Sequence, residues 1–206
     1  MIKSMKIMTL LVGLISLLTA CFNGKGNAAE QTENQFVEDT VATYSLMQEQ
    51  ANCFIVISKM EQKLYVCEAL EDDTVRLVEY PVCMGKNLGP KERKGDMKTP
   101  ESTWDKPFEI TEIVNASNWT HDFGDGRGAI LAYGHWFMRL KTGFSGIGIH
   151  GSTNNENSVP GRASEGCIRL NDNDLNVLKE QYAFKGMKVV IKREEEGLQP
   201  FELKYY

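Results

Sequence analysis

The 206-residue sequence is poor in what several classes of protein require. Its 6 prolines and 18 glycines are too few for a collagen-like or mucin-like chain, and 42% hydrophobic residues are too many for a wholly disordered one. Histidine is scarce, with only His121, His135 and His150, and neither a Cys-x-x-Cys nor a His-Glu-x-x-His spacing occurs, so no zinc motif is present. Basic residues are outnumbered, 23 Lys and Arg against 28 Asp and Glu; the net charge of −5 argues against a nucleic-acid binder, which needs a basic face for phosphates. Internal repeats and low-complexity runs are absent. What remains is an ordinary domain composition, with enough chain for one sizeable core.

The first segment reads as an export signal rather than as part of a fold. Lys3 and Lys6 precede the apolar run Ile7–Ile15, and Leu17-Leu18-Thr19-Ala20-Cys21 supplies a small-residue cleavage site. The run is short for a membrane-spanning helix and a polar tract follows it at once. Residues 1–20 are therefore expected to be a signal peptide and the mature chain to be extracytoplasmic, in the periplasm or cell envelope. The Leu-Thr-Ala-Cys ending resembles a bacterial lipobox, which implies a diacylated Cys21 and a membrane partner; the alternative is an ordinary signal in which Cys21 is incidental. Residues 21–51 are rich in Asn, Gln, Glu and Thr, with Phe36, Val37, Val41 and Tyr44 at partial helical spacing, and read as a tether with a short helix.

From residue 52 the pattern changes to short β-rich runs. Phe54–Ser58, Lys63–Cys67 and Val75–Val82 predict a meander of antiparallel hairpins. Phe108–Val114, Ile130–Tyr133, Trp136–Leu140, Gly146–His150 and Met187–Ile191 predict further strands, with polar loops at 85–103, 115–128 and 151–166. Asn171–Asp174 predicts a helix start, Leu175, Leu178 and Tyr182 its apolar side, and Lys185-Gly186 its end. The fold class is mainly β with one late α-helix and long loops, over residues 52–193, and 194–206 form a C-terminal tail. Cys53, Cys67 and Cys83 fall on the first three strands. A hairpin centred near Met60 brings Cys53 and Cys67 almost opposite each other, so this pair is the candidate disulfide, with unpaired thiols as the alternative.

The chemistry concentrates between His150 and Arg169. A thiol becomes a nucleophile when a base takes its proton, and His150, at the end of a glycine-rich strand, is a base candidate for Cys167. Gly166 permits a substrate backbone to approach, Arg169 offers a planar fork for a carboxylate, and backbone N–H groups near Cys167 suit an oxyanion. Gly148-Ile149-His150-Gly151 followed by Ser164-Glu165-Gly166-Cys167-Ile168-Arg169-Leu170 resembles the signature of the YkuD-type L,D-transpeptidases, cysteine enzymes that remodel bacterial peptidoglycan. The resemblance extends over residues 53–192 and includes Gly95-Asp96-Met97-Lys98-Thr99-Pro100-Glu101.

That resemblance implies a β-sandwich with long active-site loops, Cys167 as nucleophile, His150 as its base and the Gly151 carbonyl as the group that orients the imidazole. It implies that Ser164 and Gly166 shape the active-site turn and that Arg169 binds substrate or steadies the site. Tyr133 and His135 fall on the strand the family places near the cleft, as groove residues or as ordinary strand residues. His121 sits in a loop with no evident partner. Two positions depart from the usual pattern: Glu165 stands where many members carry a second histidine, and Ser102 where glycine is usual, a change expected to be local. No metal or organic cofactor is implied, and the partners are peptidoglycan stem peptides; the oligomeric state stays open. The expected reaction is transfer of a tetrapeptide stem from a Cys167 thioester to an amine, with release of D-alanine. Rival readings are an L,D-carboxypeptidase using water, a catalytically silent murein-binding lipoprotein, and a zinc peptidase using the three histidines.

Overall fold

The computed structural model describes residues 52–71 and 73–197. The expectations for the signal segment, Cys21 and the tether, and for the tail from residue 198 onward, lie outside the described residues.

The first three strands form the expected meander. β1 (Cys53–Ser58), β2 (Lys63–Ala69) and β3 (Thr74–Pro81) pair antiparallel in sequence order. Alternation divides β1 between two faces: Cys53, Ile55 and Ile57 enter the main core, while Phe54 and Val56 pack with Tyr65 and Cys67 in a smaller cluster on the other side. Burial on both faces explains why the strand reads as a nearly continuous apolar run.

The Cys53–Cys67 bridge is not formed, and the register is the reason. The turn Lys59–Gln62 pairs Ser58 with Lys63, so Cys53 meets Glu68 and Cys67 meets Phe54. A slip of one residue sends the two thiols to opposite faces of the sheet. Cys53, Cys67, Cys83 and Cys167 are all thiols.

The remaining strands are β4 (Cys83–Gly85), β5 (Phe108–Asn115), β6 (Thr120–Asp122), β7 (Ala129–Leu131), β8 (Trp136–Leu140), β9 (Gly148–His150), β10 (Gly161–Ser164), β11 (Ile168–Arg169) and β12 (Lys188–Ile191). Ten of them make one sheet in the order β10-β4-β11-β9-β8-β5-β12-β1-β2-β3. β5 is the shared member, pairing with β12 on one side and β8 on the other. The sheet folds over so that Ile55, Ile57 and Leu64 from one half and Met84, Ile149 and Ile168 from the other belong to a single core. Removal of a large buried side chain from such a core costs about 2–5 kcal/mol.

Three features differ from the expected strand list. β1 and β12 pair parallel, as do β9 with β11 and β4 with β10. The loop at 115–128 contains β6, which forms a separate two-stranded arm with β7, shortening the expected strand 130–133 to Ala129–Leu131. β4, β10 and β11 are too short to show an alternation of their own. The late helix starts where expected: α1 (Asp172–Val177) follows an extended Asn171 and continues as a wider π-helical turn, Leu178–Tyr182. Leu175 and Leu178 are buried in the core. Ala183 is already extended, so the helix ends before Gly186, whose φ of 98° serves the turn into β12.

Candidate active site

Parallel pairing of β9 with β11 sets Ile149 opposite Ile168 and His150 opposite Arg169. The two isoleucines enter the core, which turns His150, Arg169 and Cys167 to the other face together. Extended by one residue, the same register sets Cys167 opposite Gly148, the position two before His150. Gly148 is required there for a packing reason: a Cβ would lie 2.5 Å from the Phe137 ring and 2.7 Å from the Met138 carbonyl oxygen.

His150 is 4% exposed, and its Nδ1–H donates to the Gly151 carbonyl oxygen at 2.7 Å. A carbonyl only accepts, so the proton sits on Nδ1 and the lone pair is on Nε2. Phe137, its cross-strand partner on β8, stacks on the imidazole with ring centroids 5.7 Å apart, and the Tyr133 ring stands 4.8 Å away. Burial, reinforced by the Arg169 charge, pushes the imidazole down to about 3. The Cys167 thiol donates to the Gly146 carbonyl oxygen at 3.2 Å. Burial pushes this thiol up to about 11, against a smaller opposing effect from the Gly148 backbone and Arg169. At rest the thiol, turned to the Gly146 carbonyl, and the imidazole in the same cavity are therefore both neutral.

The turn carrying the thiol is closed by its own serine. Ser164 Oγ accepts the Gly166 N–H at 3.1 Å and donates to the Cys167 carbonyl oxygen at 2.6 Å. Gly166 has φ of 130°, and a Cβ on it would meet the Lys98 carbonyl oxygen at 2.6 Å. Arg169 is 3% exposed and donates through one terminal nitrogen to Ser158 Oγ at 2.9 Å. Its buried Nε has no hydrogen-bond partner, and the guanidinium lies over the Phe123 ring, 5.5 Å from its centroid.

Sequence reasoning missed three supports of this site. Asp172, in the first turn of α1, accepts the Ser152 N–H at 2.7 Å and the Thr153 hydroxyl, and it fills the space a side chain at Gly151 or Gly134 would need. A carboxylate at a helix start reads as an ordinary dipole partner, so nothing in the sequence marked it. Lys91 and Asp96 form a buried pair at 2.7 Å beside the cavity. Asp96 also accepts the N–H groups of Glu92, Arg93 and Lys98; despite partial desolvation, Lys91 and these groups hold its carboxyl well below the usual carboxylate range. The third is His121, expected to lack a partner. On β6 its Nε2 stands 3.3 Å from Glu165, its Nδ1 3.5 Å from the Tyr133 hydroxyl, and its ring meets the Phe123 ring at 4.5 Å.

Cys167, His150, Ser164, Arg169 and Tyr133 line one cavity of about 530 Å³, together with His121 and Glu165. His135 lies outside that lining and, with Tyr133, outside any strand, in the bend between β7 and β8; it is exposed and its Nδ1 meets the Asn176 amide at 3.2 Å. Trp136 likewise faces away, under Lys179. Ser102 does more than adjust a local backbone: its hydroxyl accepts the Ile191 N–H and donates to the Val189 carbonyl, binding its loop to β12. Among the described residues, no three His, Cys, Asp or Glu side chains converge as a metal site would require, so the three-histidine zinc reading has no geometry to stand on.

Comparison with known proteins gives fold-level similarity to several solved structures. Bd1075 from Bdellovibrio bacteriovorus is 21% identical, with a TM-score of 0.48, over 68% of this chain and 47% of that one. Pgp2 from Campylobacter jejuni, a helical cell shape determining protein, is 21% identical with a TM-score of 0.48, over 70% of this chain and 48% of that one. An L,D-transpeptidase from Mycobacterium smegmatis is 16% identical with a TM-score of 0.46, over 68% of this chain and 58% of that one. The aligned part is about half the length of the first two structures. A search of curated proteins gave no match. The family model of the L,D-transpeptidase catalytic domain, YkuD, matches residues 53–191, the whole sheet together with Cys167 and His150, and the chain belongs to that family.

Proposed function

We propose that this chain is a peptidoglycan L,D-transpeptidase, held in the cell envelope by a lipid on Cys21. The observation that carries the reading is the Nδ1–H···O=C bond from His150 to Gly151, which leaves Nε2 as a base on the face that bears Cys167. Members of the family act on peptidoglycan stem peptides. Cys167 attacks the carbonyl carbon of the bond between the diamino acid and the terminal D-alanine of a tetrapeptide stem. His150 Nε2 takes the thiol proton as the C–S bond forms and returns it to the departing D-alanine amine as the C–N bond breaks. Because thiol and imidazole are both neutral at rest, proton transfer and attack are coupled, and burial protects the thiol from idle ionisation. An amine on a second stem then resolves the thioester.

Arg169, a cation in the wall of the cavity that holds Cys167 and His150, suits the carboxylate of the leaving D-alanine. Ser164 and Gly166 hold the turn, and Tyr133 forms a wall against the His150 ring.

Mass spectrometry of disaccharide-tetrapeptide incubated with the chain, beside Cys167→Ala, tests the reading. Crosslinked dimers with loss of D-alanine, absent in the variant, support it. Tripeptide alone identifies water as the acceptor and makes the protein a carboxypeptidase. No product under reducing conditions with several stem types overturns the enzyme reading in favour of a wall-binding lipoprotein.

A further inference from the structure

The cavity wall is electrically two-sided. Lys91, Lys94 and Arg169 bring cations to it, whereas Glu165 is the only carboxylate among the described residues that line it. Lys91 is neutralised within its buried pair with Asp96, but Glu165 is half exposed and sits two residues before the nucleophile, at the open side. Its side chain is steered by His121, whose other nitrogen faces the Tyr133 hydroxyl and whose ring lies against Phe123. Glu165 thus meets His121 directly, and its charge reaches two further groups of the cavity: it helps raise both the Cys167 thiol and the Tyr133 hydroxyl, behind burial as the main cause.

A carboxylate beside a nucleophilic thiol works against thiolate formation, so its place here calls for a gain elsewhere in the cycle. The donor half of the reaction brings an anion, the carboxylate of the leaving amino acid, which the cations suit. The acceptor half brings a primary amine, which is an ammonium ion at neutral pH. We infer that Glu165, positioned by His121, recognises the ammonium of the acceptor and biases the thioester toward aminolysis over hydrolysis. The inference rests on the transpeptidase reading and assigns the chemistry of its second substrate: a cationic primary amine on a flexible side chain.

The step balances as follows. The acceptor arrives as an ammonium paired with Glu165 and loses one proton to bulk water at the open mouth. The amine adds to the thioester carbonyl carbon, the C–N bond forms and the C–S bond breaks. Sulfur leaves as thiolate and receives the second amine proton through His150 Nε2, and the third hydrogen stays on the amide nitrogen. No oxidant, reductant or cofactor enters.

The test uses partition of one intermediate, which is independent of how fast that intermediate forms. The full chain in detergent is given disaccharide-tetrapeptide as donor and either Nα-acetyl-lysine amide, a cationic amine, or hydroxylamine, uncharged at neutral pH. Transfer and hydrolysis products are quantified together. In Glu165→Gln the transfer-to-hydrolysis ratio for the lysine derivative is expected to fall about tenfold, the ratio for hydroxylamine to stay within about twofold, and Glu165→Asp to recover part of the loss. Added salt should lower the ratio for the lysine derivative in the parent chain and not in Glu165→Gln. An unchanged ratio for the cationic amine, or an equal fall for both nucleophiles, overturns the inference while leaving transpeptidation in place. Absence of any thioester in the parent chain overturns the reading beneath it, and the inference with it.

Discussion

Asp172 is tied to Ser152: its carboxylate accepts the Ser152 backbone N–H at 2.7 Å and also takes the Thr153 hydroxyl. The residue before Ser152 is Gly151, whose carbonyl carries the His150 imidazole and whose own N–H donates to the Tyr133 carbonyl at 2.7 Å. A helix start thereby sets the orientation of a strand-end base, through backbone rather than through side-chain contact.

Replacing Asp172 with Ala should therefore cost more than its hydrogen bonds. Leaving the N–H of the buried Ser152 without its acceptor destabilises by about 1–3 kcal/mol. The expected kinetic signature is a fall in kcat with KM for the donor little changed, since the residue touches no substrate. Asp172→Asn should recover stability better than activity. A KM effect alone would show that Asp172 shapes binding instead.

The site should repel charge in both of its titrating groups. His150 is held at about 3 against an ordinary 6.5, so the unfolded chain binds the extra proton between those values and stability falls as pH drops through that window. Cys167 is held at about 11 against 9, so the unfolded chain loses its proton first and stability falls again above about pH 9. Denaturant titrations across pH should give a plateau between these flanks. His150→Gln should flatten the acid flank relative to the parent, and an unchanged slope would mean that other groups set it.

Alkylation of the resting thiol reports the same state. With thiol and imidazole both neutral, iodoacetamide should modify Cys167 slowly at neutral pH, and the rate should climb about tenfold per pH unit toward 11. A rate that is fast and flat from acidic pH upward would instead reveal a thiolate–imidazolium pair.

Gly148→Ala tests whether the empty position opposite Cys167 is a packing requirement. The added methyl would meet the Phe137 ring at 2.5 Å and the Met138 carbonyl at 2.7 Å, and overpacking of this kind costs about 1–3 kcal/mol. Thermal unfolding should show the loss. Phe137→Leu in the same chain should relieve only part of it, because the Met138 carbonyl belongs to the backbone. Full relief would assign the whole clash to the ring.

The parts of the molecule legible in the sequence are those set by local pattern. β-rich runs separated by polar turns marked β1 to β3, and the His150-Gly151 and Ser164–Arg169 segments marked the site, because its backbone geometry is built by neighbours in the chain. What escaped depends on distant pairings. The Cys53–Cys67 bridge failed by one residue of register, a quantity fixed by the conformation of the Lys59–Gln62 turn. His121 gained Glu165 and Tyr133 only because β6 and β7 pair into an arm that returns to the cavity, and those strands are three residues each, too short to display a period. Tyr133 and His135 were both candidates on one stretch of chain, yet they lie in the bend between β7 and β8, where Gly134 between them has φ of 69°, and the cavity went to the first and Asn176 to the second.

The position of β12 has a consequence for how the protein assembles. The last strand in the chain lies inside the sheet, between β5 and β1, so the half that bears the thiol and the half that begins the domain share no hydrogen-bonded edge until Lys188–Ile191 is in place. Closure waits on the longest-range contact in the domain, a topology that folds slowly because the loop entropy is spent before the pairing is gained. Until that strand arrives, β1 presents an open, apolar edge, and a chain caught at this stage is the species most exposed to aggregation or proteolysis.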